Sequence, residues 1–363
     1  MTVTVKSFAK INLGLRIGPA RADGFHELLT LYQTIGLHDV IRVGAGRGTG
    51  IEIRCDDPRV PRDESNTCFR IVQRAMTALR VRARVVIDIE KRLPVQGGLG
   101  GASANAVASL LALERAVRKK LTQVEKLQIA AEVGSDLPLF LVGGAVLGVG
   151  RGEQVYPLPD FLATACVVVT PEIGVSTPKA FAEWDRLCGA GAPAREGSIH
   201  PSFAEGSAPK PAELRSAGQP MAAVPTKATT KLTMPAGSDR MNELSRGLSA
   251  WLGGLYSSAP SGFLEGRGRA GNPLLRLDRA GIENDFEQVV FPEYPKLGEA
   301  KRALVRAGAK YASLSGSGST LYGLLASRQA AASAVVHLRK QGWAAQATTT
   351  LTRVGYWRRM WAE

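Results

Sequence analysis

Cysteine and histidine are scarce in this chain of 363 residues, which has four of each. The cysteines, Cys55, Cys68, Cys166 and Cys188, lie far apart and form no CxxC pair. Zinc sites and redox dithiols need closely spaced ligands or thiols. The sequence therefore predicts reduced thiols and neither a zinc site nor a redox site.

Long apolar runs are also missing. The longest, residues 137–149, is interrupted by glycines and is shorter than the ~18 residues that a membrane span needs. The amino-terminal segment contains Lys6 and Lys10 within its apolar stretch, which is not typical of a signal peptide. The sequence thus predicts a cytoplasmic protein that does not bind membranes.

Acidic residues are outnumbered, since 32 Asp and Glu stand against 46 Lys and Arg and give a net charge of +14. Residues 301–363 hold ten of the basic residues and one Glu, and so contribute +9. Such a charge attracts nucleic acids, anionic membranes and phosphorylated metabolites alike. A nucleic-acid face and a merely solvated surface both remain open for this basic segment.

The pattern along the chain predicts a mixed α+β fold of about two to three domains of ~100 to 200 residues. Apolar and polar residues alternate over 85–90, which predicts a strand, and a helix is expected to begin near Ser103 after a glycine cluster. Thr122 and Glu125 form a capping box for a further helix. Residues 189–272 are rich in Ala, Gly, Pro and Ser, which predicts a mobile or disordered insertion.

The glycine cluster lies in LPVQGGLGGASANAVASLL, residues 93–111. A strand, a glycine turn and a helix start are the arrangement in which backbone N–H groups and the helix dipole bind phosphate. The segment has neither the lysine of a GxxxxGK[ST] loop nor the acidic residue of a dinucleotide-binding unit. A plain turn that needs positive φ is the alternative.

A phosphate loop without a lysine needs positive charge and a proton acceptor from elsewhere in the chain. Lys10, in SFAKINLGL, and Asp136, in GSDLPLF, are the candidates. Asp136 lies between a helix-ending glycine and a proline, so a helix cap is the alternative. For Lys10 the alternative is an ordinary surface charge.

Taken together, these segments resemble the GHMP small-molecule kinase superfamily. The three motifs stand as SFAKINL (7–13), PVQGGLGGASANA (94–106) and SLSGSGSTLYG (313–323). RADGFHELLTLYQTIGLHD (21–39) and GSDLPLFLVGGAVLGVGRGE (134–153) are similar to the branch that acts on 4-diphosphocytidyl-2-C-methyl-D-erythritol. The resemblance covers nearly all of the chain outside the predicted insertion.

The resemblance implies a two-domain fold with a cleft between an N-terminal nucleotide-binding domain, 1–160, and a C-terminal domain, 161–363, that carries the insertion. It implies phosphorylation of the substrate's 2-hydroxyl in the non-mevalonate isoprenoid route, with ATP and Mg²⁺ as cofactors. The partner is then a small cytidine diphosphate sugar-alcohol rather than a nucleic acid. The sequence does not distinguish a monomer from a homodimer. The alternatives are a homoserine or mevalonate type of GHMP kinase, or a basic RNA-binding protein with a similar N-terminal fold.

Site residues follow from the same resemblance. Asp136 is implied to be the base or the carboxylate that orients the hydroxyl, with Lys10 beside it. The residues implied to hold ATP are Pro94, Gly97, Gly98, Leu99, Gly100, Gly101, Ser103 and Asn66. Those implied to hold the substrate are Asn12, Phe25, His26, Thr177, Phe181, Gly316, Ser317 and Gly318.

Within that second set, Phe25 and Phe181 are implied to sandwich the cytosine ring while His26 binds its polar edge. Isolated aromatic residues are more commonly part of a core, so a core role is the alternative for both. Phe25 stands where most relatives have tyrosine, and the resemblance gives no protein side chain as a metal ligand.

Overall fold

The computed structural model describes residues 1–95, 97–188, 241–242, 245–250, 272–278 and 281–361. Most of the insertion predicted at 189–272 lies outside these ranges, so its predicted mobility stays a prediction. Within the described ranges, no helix is both long enough and apolar enough to cross a bilayer.

A six-stranded sheet forms the first part of the fold. Its strands are β1 (Thr2–Ala20), β2 (His26–Gly46), β3 (Gly50–Cys55), β4 (Arg84–Glu90), β5 (Ala145–Val149) and β6 (Gln154–Pro157). The order is β3-β4-β2-β5-β6, and β1 pairs along β2 as an antiparallel hairpin. Only β3 and β4 pair in parallel. Apolar residues on one face of these strands pack against helices, which buries that face from water.

The helices that cover this sheet are α1 (Thr67–Ala78), α2 (Gly101–Val117), α3 (Gln123–Val133) and α4 (Leu137–Val142). Asn66 caps α1 by accepting a hydrogen bond from the Cys68 backbone N–H at 2.8 Å, and the predicted capping box of Thr122 and Glu125 is confirmed. The expectation that α2 begins near Ser103 is wrong by two residues, because Gly100 acts as its N-cap without a side-chain acceptor.

A four-stranded antiparallel sheet forms the second part. Its strands are β7 (Ala165–Val169), β8 (Tyr311–Leu314), β9 (Leu321–Leu325) and β10 (Ala345–Thr349), in the order β10-β7-β9-β8. Further helices are α5 (Thr177–Cys188), α6 (Glu287–Glu293), α7 (Pro295–Arg306), α8 (Arg328–Lys340) and α9 (Arg353–Met360), with a 3₁₀ turn at Pro273–Arg276. Residues 241–242 and 245–250 are also helical. The loop predicted within SLSGSGSTLYGL is confirmed as the connection between β8 and β9.

The end of the chain returns to the first sheet. Trp361 pairs with Val5, and Tyr356 and Met360 are buried in the same core as the first sheet. The first sheet ends at Pro157 and the second begins at Ala165, while a domain boundary at 160/161 stays a prediction.

A buried ion pair joins β1 to the segment that precedes α6. Arg16 donates to Asp285 Oδ1 at 2.7 Å, and the Ile17 backbone N–H donates to Asp285 Oδ2 at 3.0 Å. The Asp285 side chain is fully buried and that of Arg16 is 8% exposed. A buried charge that loses its partner is strongly destabilising, so this pair holds two distant parts of the sequence together.

We expect Asp285→Ala to lower the free energy of unfolding by about 3 kcal/mol, because it leaves the Arg16 charge without its buried partner. Urea denaturation of both proteins measures the change. The matched control is Glu183→Ala, which removes an exposed pair with Arg186 and should cost less than about 1 kcal/mol. Equal losses in the two variants would contradict the role of the buried pair.

Candidate active site

The start of α2 has the geometry of an anion-binding site, and it is called the phosphate cradle below. Gly100 has φ +69° and no side chain to cap the helix, and the first backbone hydrogen bond within the helix runs from Ala104 N to Gly100 O at 2.9 Å. The N–H groups of Gly101, Ala102 and Ser103 therefore have no partner within α2. Unpaired N–H groups and the positive end of the helix dipole attract an anion.

Two glycine loops that are far apart in the sequence meet at this cradle. They are the first glycine loop, Gly97–Gly101, and the second glycine loop, Ser315–Thr320. The Ser315 hydroxyl donates to Gly98 O at 2.9 Å, and the Thr320 backbone N–H donates to Gly97 O at 3.1 Å. A Cβ at Gly98 would lie 2.1 Å from Ser315 O, and φ at Gly98 is +82°. Only glycine fits there, since both the backbone conformation and the space exclude a side chain.

Lys10 and Asp136, the two predicted catalytic residues, meet beside the cradle. Lys10 Nζ lies 3.3 Å from Asp136 Oδ2 and donates to Asn12 Oδ1 at 2.6 Å. The Tyr32 hydroxyl donates to Asp136 Oδ1 at 3.0 Å. Asp136 stands at the start of α4 but makes no side-chain capping hydrogen bond, and Lys10 is buried. The alternatives of a helix cap and a surface lysine do not describe these residues.

Strand geometry explains why this cluster forms. Lys10 and Asn12 are two residues apart on β1 and therefore point to the same face of the sheet. Tyr32 is the register partner of Asn12 on β2. Burial, together with the nearby negative charge of Asp136, raises the pKa of Tyr32 well above its ordinary value. Tyr32 therefore stays neutral around pH 7 and acts as a hydrogen-bond donor to the carboxylate.

A cavity of 370 Å³ extends from the cradle toward α1. Every residue predicted to hold ATP lines it, namely Asn66, Pro94, Gly97, Gly98, Leu99, Gly100, Gly101 and Ser103. The polar atoms of Asn66 are already engaged, because Oδ1 accepts from Cys68 N and Nδ2 donates to Pro61 O at 2.6 Å. Asn66 therefore shapes the wall of the cavity and has its main hydrogen bonds within the protein.

A second cavity, of 450 Å³, lies on the other side of Gly98. Thr177, Ser317 and Gly318 line it, and the hydroxyls of Thr177 and Ser317 are 2.7 Å apart. Because Gly98 lines both cavities, a molecule in one would touch the same loop as a molecule in the other.

The second glycine loop also reaches the Lys10 cluster. A Cβ at Gly316 would lie 3.4 Å from Asn12 Oδ1 and 3.5 Å from Lys10 Nζ. Asn284 holds this loop by donating to the carbonyls of Leu314 and Gly316 at 2.9 and 2.8 Å.

The aromatic residues predicted to hold a pyrimidine make contacts with other protein side chains. His26 stacks on Phe181 with ring centroids 5.0 Å apart, and its Nε2 lies 2.8 Å from Asp185 Oδ1. Phe25 is half exposed, with the Arg151 guanidinium 4.9 Å from its ring centroid. His26 thus covers one face of Phe181, and a base sandwiched between Phe25 and Phe181 stays a prediction.

Sequence reasoning missed three polar residues near the site: Tyr32, Asp39 and Lys91. Asp39 is fully buried and accepts from Lys91 Nζ at 2.7 Å. A polar residue within an apolar strand is the one signal that marks Tyr32 and Asp39. Nothing in the sequence pairs position 39 with position 91, because that contact depends on how β2 and β4 align.

Few side chains near the phosphate cradle are suitable metal ligands. Within the described ranges, no group of three or more His, Cys, Asp or Glu side chains forms a metal site. Mg²⁺ is commonly held by one or two carboxylates together with substrate phosphates. The Ser103 hydroxyl at the cradle and the Asp136 carboxylate are oxygen donors of the kind that Mg²⁺ prefers, so the residues fit a metal that arrives with a nucleotide.

Two family models match the chain. The model of the GHMP kinases N terminal domain matches residues 66–144, and the model of the GHMP kinases C terminal region matches residues 262–342. The first match contains the phosphate cradle, and the second contains the second glycine loop.

Curated relatives cover most of the chain. The 4-diphosphocytidyl-2-C-methyl-D-erythritol kinase of Solibacter usitatus (strain Ellin6076) is 35% identical over 328 residues, which are 90% of this chain and 82% of the relative. The protein of the same name from Synechococcus sp. (strain JA-2-3B'a(2-13)) is 33% identical over 93% of this chain and 90% of its own.

Solved structures share the fold. A 4-(cytidine 5'-diphospho)-2C-methyl-D-erythritol kinase superposes with a TM-score of 0.63 at 24% identity, covering 96% of this chain and 98% of its own. A homoserine kinase from Cytophaga hutchinsonii gives a TM-score of 0.59 at 18% identity over 97% and 95% of the two chains. At these identities the likeness establishes the fold alone.

We expect Gly98→Ala to weaken ATP binding at least tenfold, because its Cβ would collide with Ser315 O and force the two glycine loops apart. Calorimetric titration with a non-hydrolysable ATP analogue measures the dissociation constant. Gly50→Ala is the matched control, since Gly50 has φ +104° but no atom within 4 Å of a built Cβ. A loss of affinity in both variants would show that backbone strain, rather than loop contact, is responsible.

Proposed function

The chain belongs to the 4-diphosphocytidyl-2-C-methyl-D-erythritol kinase family of GHMP kinases, and we propose that it transfers the γ-phosphoryl group of ATP to the 2-hydroxyl of that cytidine diphosphate alcohol. The chain is an ATP-dependent small-molecule kinase, as its relatives and both domain matches indicate. The observation that carries the proposed reaction is the Lys10–Asp136 pair, at 3.3 Å, beside a helix start whose first N–H groups have no partner within α2.

The curated relatives favour this substrate over those of the other GHMP kinases. The names of these relatives all give the same alcohol, whereas homoserine and mevalonate kinases are similar in fold at 12–18% identity. An RNA-binding role gains no support from the site, because the Lys10 side chain is buried beside Gly100 and Gly316 rather than on an exposed basic face.

Phosphoryl transfer depends mainly on positioning and on stabilisation of charge. The backbone N–H groups at the start of α2 bind the phosphates of ATP, and the first glycine loop lets them approach closely. Leu99 contributes through its carbonyl, which accepts from the Lys10 backbone N–H at 2.9 Å. That bond fixes β1 against the loop, so the Lys10 ammonium stays near the group that is transferred.

Asp136 acts on the hydroxyl group of the acceptor alcohol. Its carboxylate orients the hydroxyl and accepts its proton as the new O–P bond forms and the bond between the γ-phosphorus and the ADP oxygen breaks, so that ADP leaves. Lys10 stabilises the negative charge that develops on the phosphoryl oxygens, and Asn12 holds Lys10 in place. Tyr32 fixes the rotation of the carboxylate through its hydrogen bond to Oδ1.

Mg²⁺ would be held by the nucleotide phosphates with Ser103 and Asp136 as candidate oxygen ligands, and when bound it neutralises phosphate charge. The second cavity, with Thr177, Ser317 and Gly318, would hold the acceptor beside Gly316. Phe25, His26 and Phe181 would hold its cytosine. A cytoplasmic location and a monomeric or homodimeric state remain predictions.

The test compares the wild type and Asp136→Asn with Mg-ATP and one of two acceptors, the cytidylylated methylerythritol or homoserine. We expect ADP release with the cytidine alcohol and none above background with homoserine. Asp136→Asn should lower kcat by at least a hundredfold, because the amide cannot accept the proton. Affinity for ATP analogues should stay within about threefold.

Turnover with homoserine alone, or with neither alcohol, would exclude the proposed substrate. A kcat for Asp136→Asn near the wild-type value would instead exclude the role of that carboxylate, whichever substrate is used. Circular dichroism of both proteins controls for misfolding.

Tyr32→Phe probes the orientation of the same carboxylate. Loss of one hydrogen bond of about 1.4 kcal/mol predicts a tenfold lower kcat with little change in the KM for ATP. Since the pKa of Tyr32 is raised well above its ordinary value, removing the hydroxyl should not alter the pH profile of kcat between pH 6 and 9. A variant with unchanged kcat would show that Lys10 alone orients Asp136.

A further inference from the structure

Asp39 lies at the centre of a buried hydrogen-bond network next to the nucleotide cavity. It is fully buried, and its carboxylate accepts four hydrogen bonds. The donors are Lys91 Nζ at 2.7 Å, Arg92 N at 2.7 Å, Leu93 N at 2.7 Å and Asn105 Nδ2 at 2.9 Å. An ionised carboxylate needs such donors to be buried at all, so the group is fully satisfied.

The donors come from both sides of the first glycine loop. Leu93 lies in the segment that enters the loop after β4, and Asn105 lies in the helix that leaves it. Asp39 itself belongs to β2, the central strand of the sheet. One carboxylate thus fixes the two ends of the loop to the same point of the sheet, which sets how far apart they stand.

Through this network Asp39 also places a cation at the cradle. Lys91 lines the nucleotide cavity, and a Cβ at Gly101 would lie 3.3 Å from Lys91 Nζ. The Lys91 ammonium therefore sits beside the first residue of α2. The glycine loop has no lysine of its own, so Lys91 is a positive charge that the fold brings to this position. Its side chain is 10% exposed, which limits screening by water.

Asn105 is oriented by the same carboxylate. Its Nδ2 donates to Asp39, so its Oδ1 must face away from the negative charge. That oxygen is buried and has no hydrogen-bond partner among the described residues, although Asn105 lines the nucleotide cavity. Buried acceptors without a partner are costly and rare, which indicates that a bound molecule or water completes this one.

We propose that Asp39 is a positioning residue for the nucleotide, which sets the width of the first glycine loop and directs Lys91 and Asn105 toward the cavity. Asp39 does not touch the nucleotide and acts through these two residues. The inference rests on the proposed function only in requiring that a nucleotide binds at the glycine loop. It does not depend on which alcohol is phosphorylated.

Asp39→Asn tests the proposal, with ADP binding to the folded protein as the first measurement and steady-state kinetics as the second. The amide keeps the shape of the side chain but loses the charge that holds Lys91. We expect the Kd for ADP and the KM for ATP to rise at least tenfold, with kcat at saturating ATP and the KM for the alcohol changed less than threefold. A merely structural role would lower Tm without changing the Kd of the folded fraction.

Two further variants sharpen the result. Lys91→Met should also raise the Kd for ADP, and adding it to Asp39→Asn should raise the Kd by less than it does in the wild type, because Asp39 acts partly through Lys91. Glu90→Gln is the matched control: Glu90 is the residue before Lys91, pairs with Arg42 at 2.7 Å and is partly exposed. It should leave ADP binding unchanged.

An unchanged Kd in folded Asp39→Asn would overturn the proposal, as would equal losses of affinity in Glu90→Gln. If Asp39→Asn does not fold, an unchanged Kd in Lys91→Met overturns the proposal and a tenfold rise supports it. A wild type that binds ADP but does not phosphorylate the cytidine alcohol would refute the proposed substrate and leave this test intact. A wild type that binds no ADP would refute both.

Discussion

Backbone contact between the two glycine loops is the constraint on which the site depends. Gly98 and Ser315 approach so closely that no side chain fits between them, and two hydrogen bonds fasten the loops together. This contact brings residues about 220 positions apart in the sequence to a common point between the two sheets. The cradle, the Lys10 cluster and both cavities all border that point, so their geometry follows from one close packing.

Three buried charged side chains, Lys10, Asp39 and Arg16, each face a side chain of opposite charge. Lys10 faces Asp136, Lys91 faces Asp39, and Arg16 faces Asp285 farther along β1. Each pair links a strand of the first sheet to a segment that is remote in sequence. Because a buried charge without its partner is costly, the pairs favour one arrangement of the segments.

Most of the excess positive charge of the sequence lies outside the candidate active site. Residues 301–363 contribute +9 of the net +14, yet the groups proposed to act at the site are Lys10, Lys91 and the backbone of α2. Arg302, Arg358 and Arg359 are exposed on α7 and α9. Such a surface can steer phosphorylated substrates through its long-range field, and the site itself does not require it.

Local signals in the sequence determined a good part of the structure. Asn66 and Thr122 are caps because their side chains reach N–H groups within a few residues, and the glycine run before α2 predicts a helix start of the kind that binds phosphate. The family resemblance supplied Lys10 and Asp136 as a pair. What the tertiary structure decided were the contacts between distant segments: Tyr32 on Asp136, Asp39 on Lys91 and Asn105, and Ser315 on Gly98. Such contacts depend on strand register and on loop packing, which no local pattern of residues encodes.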